Sequence, residues 1–195
     1  MRLRESGMPE EAFWETLFNV ELILDRLGID RRFGDVVELG CGYGTFTLPV
    51  ARRIAGILHT WDIDPAMVAR TRRRVDSEGL TNVLCQQRDV FVQGFGVPPE
   101  SQGAGLLFNI LHGEEPVRFL RDAARAVRPG GFVFAIHWRW DERTPRGPAL
   151  DIRPRPEQIV AWAGQTGLLE AVGPVLDLPP WHYGLRLQRP GPPVM

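Results

Sequence analysis

The sequence predicts an α/β fold: a doubly wound, mostly parallel sheet of about seven strands with an antiparallel terminal strand, and helices on both faces. Three observations carry this. Strand and helix patterns alternate through five strands between residues 35 and 138. A run of glycines follows the first strand and opens a helix, the place where open α/β sheets bind ligands. Two last apolar runs, 168–176 and 181–188, are joined by a link too short for a helical crossover, so they pair antiparallel.

The elements follow in order. Residues 9–28 place Phe13, Leu17, Val20, Leu24 and Leu27 on one stripe at helical spacing, with Pro9 before and Gly28 after as punctuation. A strand at 35–39 leads through the glycine turn into a helix at about 45–55. The strand ILHTWD (57–62) precedes a helix that Asp64 caps and Pro65 begins. VLCQQRDV (83–90) reads as the third strand and LLFNIL (106–111) as the fourth, after a Gly/Pro-rich connection. An amphipathic helix over 115–128 stops at Pro129 and two glycines, and FVFAIHW (132–138) is the fifth strand. An irregular arm (139–155), a helix from Pro156, the terminal strand pair and a loose tail, RPGPPVM, complete the chain.

At 195 residues the chain is long enough for one domain with a sizeable core. The expected layout is a helical cap (1–30), a core (34–190) and the arm (139–155). Net charge is −1, so no global field favours nucleic acid or an anionic membrane. No apolar run approaches bilayer length, and the first residues lack the apolar stretch of a signal peptide. Cys41 and Cys85 neither make a disulfide framework nor have zinc-ligand spacing, so no metal is expected and a reducing cytoplasm is the default. Every basic residue is arginine, read as the codon usage of a GC-rich bacterial genome. The Arg70, Arg72, Arg73, Arg74 cluster reads as a solvated helix face.

The stretch VVELGCGYGTF (36–46) carries the chemistry. Gly40, Gly42 and Gly44 let a ligand approach the backbone, and the next helix presents free N–H groups. The spacing is G-x-G-x-G with threonine at 45, so the dinucleotide fingerprint fails at its third glycine. Glu38 would repel a pyrophosphate and attract an ammonium. A ligand with a cationic end fits better than one with bare phosphates.

ELGCGYG resembles the first motif of the class I, Rossmann-like S-adenosylmethionine-dependent methyltransferases. WDIDPAMV resembles the second motif, QRDV the third, and AVRPGGFVFAIHW the turn before strand five. The likeness covers about residues 34–175. It implies the cofactor S-adenosylmethionine, held by Glu38, Gly40, Gly42 and Gly44, with Asp62 on the ribose hydroxyls and Asp89 accepting from the adenine amino group. Ile63 and Val90 would sandwich the adenine, and Asn109, at the end of strand four, would border the methionine moiety. His112 and His137 are candidates for a general base, with His112 otherwise capping the next helix. His137 and Trp138 are candidates for the acceptor pocket.

FNILHGEEP (108–116) is not the Asn-Pro-Pro-Tyr type of many amino-group methyltransferases, and the usual aspartate before strand four is replaced by Gly103, Ala104 and Gly105. Trp14, Trp140, Trp181 and Tyr183 read as packing residues, with aromatic walls of the pocket as the alternative. The expected function is methyl transfer to a small-molecule acceptor, with no nucleic-acid or membrane partner and a possible homodimer. The alternatives are a silent S-adenosylmethionine/S-adenosylhomocysteine-binding module and, further off, a nicotinamide-dependent oxidoreductase.

Overall fold

The computed structural model describes residues 9–191; residues 1–8 of the expected cap and 192–195 of the expected tail lie outside the described residues. Eight strands form one sheet: β1 (Val36–Leu39), β2 (Leu58–Asp62), β3 (Val83–Gln87), β4 (Gln102–Phe108), β5 (Val127–Trp138), β6 (Glu170–Ala171), β7 (Leu176–Leu178) and β8 (His182–Gln188). Their order is β3-β2-β1-β4-β5-β8-β6, with β7 also paired to β8. The first five are parallel and β8 runs antiparallel to β5, β6 and β7. The run expected at 168–176 forms two short strands because Gly173, at φ 76°, and Pro174 interrupt it.

Among the described residues seven α-helices cover the sheet: α1 (Glu11–Glu15), α2 (Val20–Leu27), α3 (Thr47–Arg53), α4 (Pro65–Ser77), α5 (Val90–Gln93), α6 (Pro116–Ala126) and α7 (Pro156–Gln165). Successive residues of a strand point to opposite faces, so β1 divides between two cores. Val37 and Leu39 join Leu120, Ala123 and Ile159 of α6 and α7, whereas Val36 joins Ile23, Leu24 and Val50 of α2 and α3. Every residue of β1 is buried in consequence. Each large aliphatic side chain so enclosed contributes about 1.5–3 kcal/mol.

Three expectations shift. The helix expected over 9–28 is two helices, because Asn19 accepts a hydrogen bond from Leu22 N–H and restarts the chain as α2. Phe18 thereby turns inward against Phe46 and His182, and Phe13 is left exposed. The arginine cluster is exposed on its helix face, as expected, but most of it is also paired. Arg70 and Arg74 pair with Glu11, Arg74 also pairs with Glu15, and Arg72 donates to the Cys85 carbonyl. These pairs, with the Tyr43 hydroxyl on the Pro9 carbonyl, seat α1 over the glycine turn. Strand β4 begins at Gln102, not 106, and carries Gly103, Ala104 and Gly105 inside the sheet.

Candidate functional site

Parallel strands that end together place their following loops together. Here the carboxyl ends of β1, β2, β3 and β4 surround a cavity of about 470 Å³. The Gly40–Gly44 turn is pinned over β2: Gly40 N–H donates to the Trp61 carbonyl at 2.7 Å, and Gly42 N–H to Asp62 Oδ2 at 2.9 Å. Gly42 takes φ 51° and Gly44 φ 80°, the left-handed region that favours glycine, and a Cβ on Gly44 would come within 2.7 Å of Leu48 Cδ1.

Glu38 sits beneath this turn, buried, with Oε2 accepting from the hydroxyls of Thr47 and Thr60, each at 2.6 Å. Burial pushes its carboxyl up to about 7; the two hydroxyls oppose the shift and the nearby Asp62 charge adds to it. The unfolded carboxyl releases its proton near its ordinary value of 4.5, the folded one near 7. Between these values the folded chain binds more protons, so stability falls as pH rises through that window. Glu38→Gln is expected to flatten this dependence. Urea midpoints at pH 5 and pH 8 should differ for the wild type, on the order of 3 kcal/mol at most, and converge in the variant.

Asp62, at the end of β2, accepts from Gly42 N–H on Oδ2 and from Asp64 N–H on Oδ1. Burial raises its pKa, and those two backbone bonds oppose the shift. Each oxygen keeps further lone-pair capacity toward the cavity. Asp64 caps α4 through Ala66 N–H. Asp89 likewise caps the short α5 through Phe91 N–H and lines the cavity from the β3 side. Ile63 is 48% exposed at the cavity rim, with buried Val90 also in the lining. Asn109, at φ 58°, lines the same space, and its buried Oδ1 accepts no hydrogen bond.

The structure therefore brings Glu38, Gly40, Gly42, Asp62, Ile63, Asp89, Val90, Asn109 and His112 around one cavity. Gly44 and His137 are not in its lining. Gly44 lies behind the turn against Leu48 and Thr71. His137 is wholly buried and reaches the site through His112, its Nε2 3.3 Å from His112 Nδ1. Trp138, with His137 a candidate for the acceptor pocket, is buried against Trp14, Phe18 and His182 and is not in this lining either. Both belong to a strand enclosed on two faces.

Sequence reasoning missed Thr45 and Phe91, and gave Trp14 a pocket wall only as the alternative to packing. Thr45 leaves a buried hydroxyl without a partner beside the turn, though position 45 had counted only as a missing glycine. Trp14 faces the cavity because α1 is tied across it; nothing in its local pattern distinguishes it from packing. Arg88 also lines the cavity, but its guanidinium is bound to the carbonyls of Gln93 and Gly94 and stacks 5.5 Å from the Trp61 ring. It is not held ready for a pyrophosphate.

These residues fit S-adenosylmethionine. The sites beside the strand ends are acceptors: two carboxylates, the buried Glu38 and the unsatisfied Asn109 oxygen. A ligand carrying ammonium, sulfonium and ribose hydroxyls satisfies them, whereas a dianionic phosphate group does not.

The comparisons with known proteins agree. Residues 36–131 match the family model described as a methyltransferase domain. Aklanonic acid methyltransferase DauC of Streptomyces sp. (strain C5) is 31% identical over 120 residues, covering 53% of this chain and 51% of that protein. The catalytic subunit TRM61 of a Cryptococcus neoformans tRNA (adenine(58)-N(1))-methyltransferase is 29% identical over 124 residues, covering 63% of this chain and 27% of that protein. The chain thus spans about half the length of the first of these relatives and less of the second. A SAM-dependent methyltransferase from Aquifex aeolicus superposes with a TM-score of 0.78 at 20% identity, covering 91% of this chain and 93% of that one. Residues 36–131 thus resemble a methyltransferase domain, and the chain has the fold of the SAM-dependent methyltransferase from Aquifex aeolicus.

Proposed function

We propose that the chain transfers a methyl group from S-adenosylmethionine to a small-molecule acceptor, acting as one domain in the cytoplasm. The observation that carries this is the convergence of Glu38, Asp62, Asp89 and the unsatisfied Asn109 Oδ1 on one cavity. S-adenosylmethionine supplies, when bound, an electrophilic methyl group. The chain supplies acceptors: Asp62 for the ribose hydroxyls, Asp89 for the adenine amino group, Asn109 Oδ1 for an N–H donor, and the buried Glu38 carboxyl, held by Thr47 and Thr60, in the cavity lining. Ile63 and Val90 offer apolar contact to the adenine.

In-line displacement from a sulfonium needs alignment more than acid catalysis, and alignment alone is worth effective molarities on the order of 10⁵–10⁸ M. Trp14 of α1, and Glu114 and Glu115 of the loop after β4, line the same cavity. His112 is the one histidine in the lining, and burial lowers its pKa, so it stands neutral and able to take a proton.

A small acceptor is favoured over nucleic acid by the net charge of −1 and by the engagement of Arg70, Arg72 and Arg74 within the fold. Among the described residues no helix is long and apolar enough to cross a membrane. The cytoplasmic assignment is supported by two free thiols, Cys41 and Cys85, whose sulfurs lie 3.8 Å apart. Calorimetric titration should show saturable binding of S-adenosylmethionine and of S-adenosylhomocysteine, with NADH far weaker. Preferred binding of NADH would overturn the proposal.

A further inference from the structure

The cavity has a reactive group in its wall that methyl transfer does not use. Cys41 sits in the glycine turn and lines the cavity, whereas Cys85 lies on β3, outside the lining. They are the two cysteines of the chain, and both are free and buried. Their sulfurs are 3.8 Å apart, with Val68 and Val83 packed beside them.

The sheet brings these thiols together from positions 44 residues apart. Cys85 stands level with Thr60 on β2, and Thr60 level with Glu38 on β1, so the three share a face. The turn then carries Cys41 over β2, where its N–H donates to the Trp61 carbonyl at 3.2 Å.

A disulfide holds its sulfurs about 2 Å apart, so bonding must draw this pair closer by roughly a further 1.8 Å. Strand β3 resists that movement. Its residues pair in register with β2, and Arg72 Nε–H donates to the Cys85 carbonyl at 2.8 Å. The turn, a loop held by single hydrogen bonds, gives way instead. It would drag Gly40 and Gly42, which line the cavity, and strain the Gly42 N–H bond to Asp62 Oδ2.

We infer that Cys41 and Cys85 form a reversible disulfide that closes the cofactor site, and that bound cofactor protects the pair. The inference rests on the methyl-transfer reading above. The oxidant is hydrogen peroxide, small enough to enter the cavity and meet Cys41 there. The Cys41 sulfur takes one peroxide oxygen as the O–O bond breaks, releasing water and leaving a sulfenic acid. The Cys85 sulfur attacks that sulfur, the S–O bond breaks, and a second water leaves with the thiol proton. Two thiols and one peroxide thus become one disulfide and two waters; the sulfurs lose two electrons and peroxide gains them. A dithiol reverses the link and is itself oxidised. Contact with Cys85, burial and the Asp62 charge keep the Cys41 thiol protonated, so the oxidation is slow.

The test treats the whole reduced protein with hydrogen peroxide, then reads intact mass and peptides without reduction. Loss of two hydrogens and one linked peptide pair, containing Cys41 and Cys85, is expected. Calorimetry should then show S-adenosylhomocysteine bound at least about tenfold more weakly, with dithiothreitol restoring the original affinity. Saturating S-adenosylhomocysteine during treatment should slow the linkage about tenfold or more. Cys85→Ala should bind as the wild type does before treatment and lose less than about threefold after it. Cys85→Val gives the same reading should that variant fail to fold.

Thiols left untouched by peroxide, added oxygen without a link, or a linked form of unchanged affinity would each overturn the switch. So would an equal loss in the treated variant, which would assign the effect to Cys41 alone. Equal linkage rates with and without S-adenosylhomocysteine would overturn the protection. A reduced protein that links its thiols under peroxide yet binds no S-adenosylhomocysteine would instead sink the cofactor reading.

Discussion

Replacing Asp62 with alanine is expected to weaken S-adenosylmethionine binding by about 3 kcal/mol, on the order of a hundredfold in Kd. Two losses add. The ribose hydroxyls lose a charged acceptor, and bonds of that kind are worth about 1.5–3 kcal/mol each. The glycine turn also loses its anchor, because Gly42 N–H donates to Asp62 Oδ2 and Asp64 N–H to Oδ1. A looser turn must be ordered again by the ligand, which costs affinity. Asp89→Ala should cost less, since Asp89 holds only the four-residue α5. Titration of both variants with S-adenosylhomocysteine checks the ranking. Equal affinities for wild type and Asp62→Ala would remove Asp62 from the site.

The second large effect concerns stability. Gly103→Ala is expected to destabilise the fold by about 3 kcal/mol or more, read as a lower urea midpoint. Gly103 lies inside β4, where its N–H donates to the Asp35 carbonyl at 2.7 Å. A Cβ there would stand 1.6 Å from the Phe33 carbonyl oxygen, so the backbone of the turn before β1 would have to move. Gly105→Ala is the control: its Cβ meets Val127 Cγ2 at 3.5 Å, an ordinary contact, and its cost should be small. Equal midpoints for the two variants would refute the steric account.

The same glycine shows where local pattern stops being informative. In sequence, Gly103, Ala104 and Gly105 look like the absence of an acid before a strand that starts at 106. In the fold they are the strand, because the residues before β1 pass too close for a side chain. Period-two alternation was no guide either, since β4 is covered on both faces and reads as uninterrupted burial. The split of the first helix was similarly hidden. Asn19 is a common cap, but only the packing of Phe18 on Phe46 and His182 makes the break worthwhile.

The acids at strand ends were legible because short-range chemistry places them. A carboxylate after an apolar run, followed by glycines that need positive φ, specifies a strand, a turn and a ligand charge from adjacent residues alone. So were the caps of α2 at Gly28 and of α4 at Asp64. His137 and Trp138, candidates for the acceptor pocket, are buried outside the cavity lining, because position at a strand end does not say which neighbours will cover it.

From its residues alone, the chain declared its α/β class, the glycine turn after the first strand and the acids Glu38, Asp62 and Asp89. These depend on spacing and charge within a few residues. The depth of Glu38 and its raised pKa, the seating of α1 by Arg70 and Arg74, the open valence of Asn109 Oδ1 and the contact of Cys41 with Cys85 were settled by tertiary structure. Each is a relation between segments distant in the chain, and burial and long-range contact exist only once those segments have met.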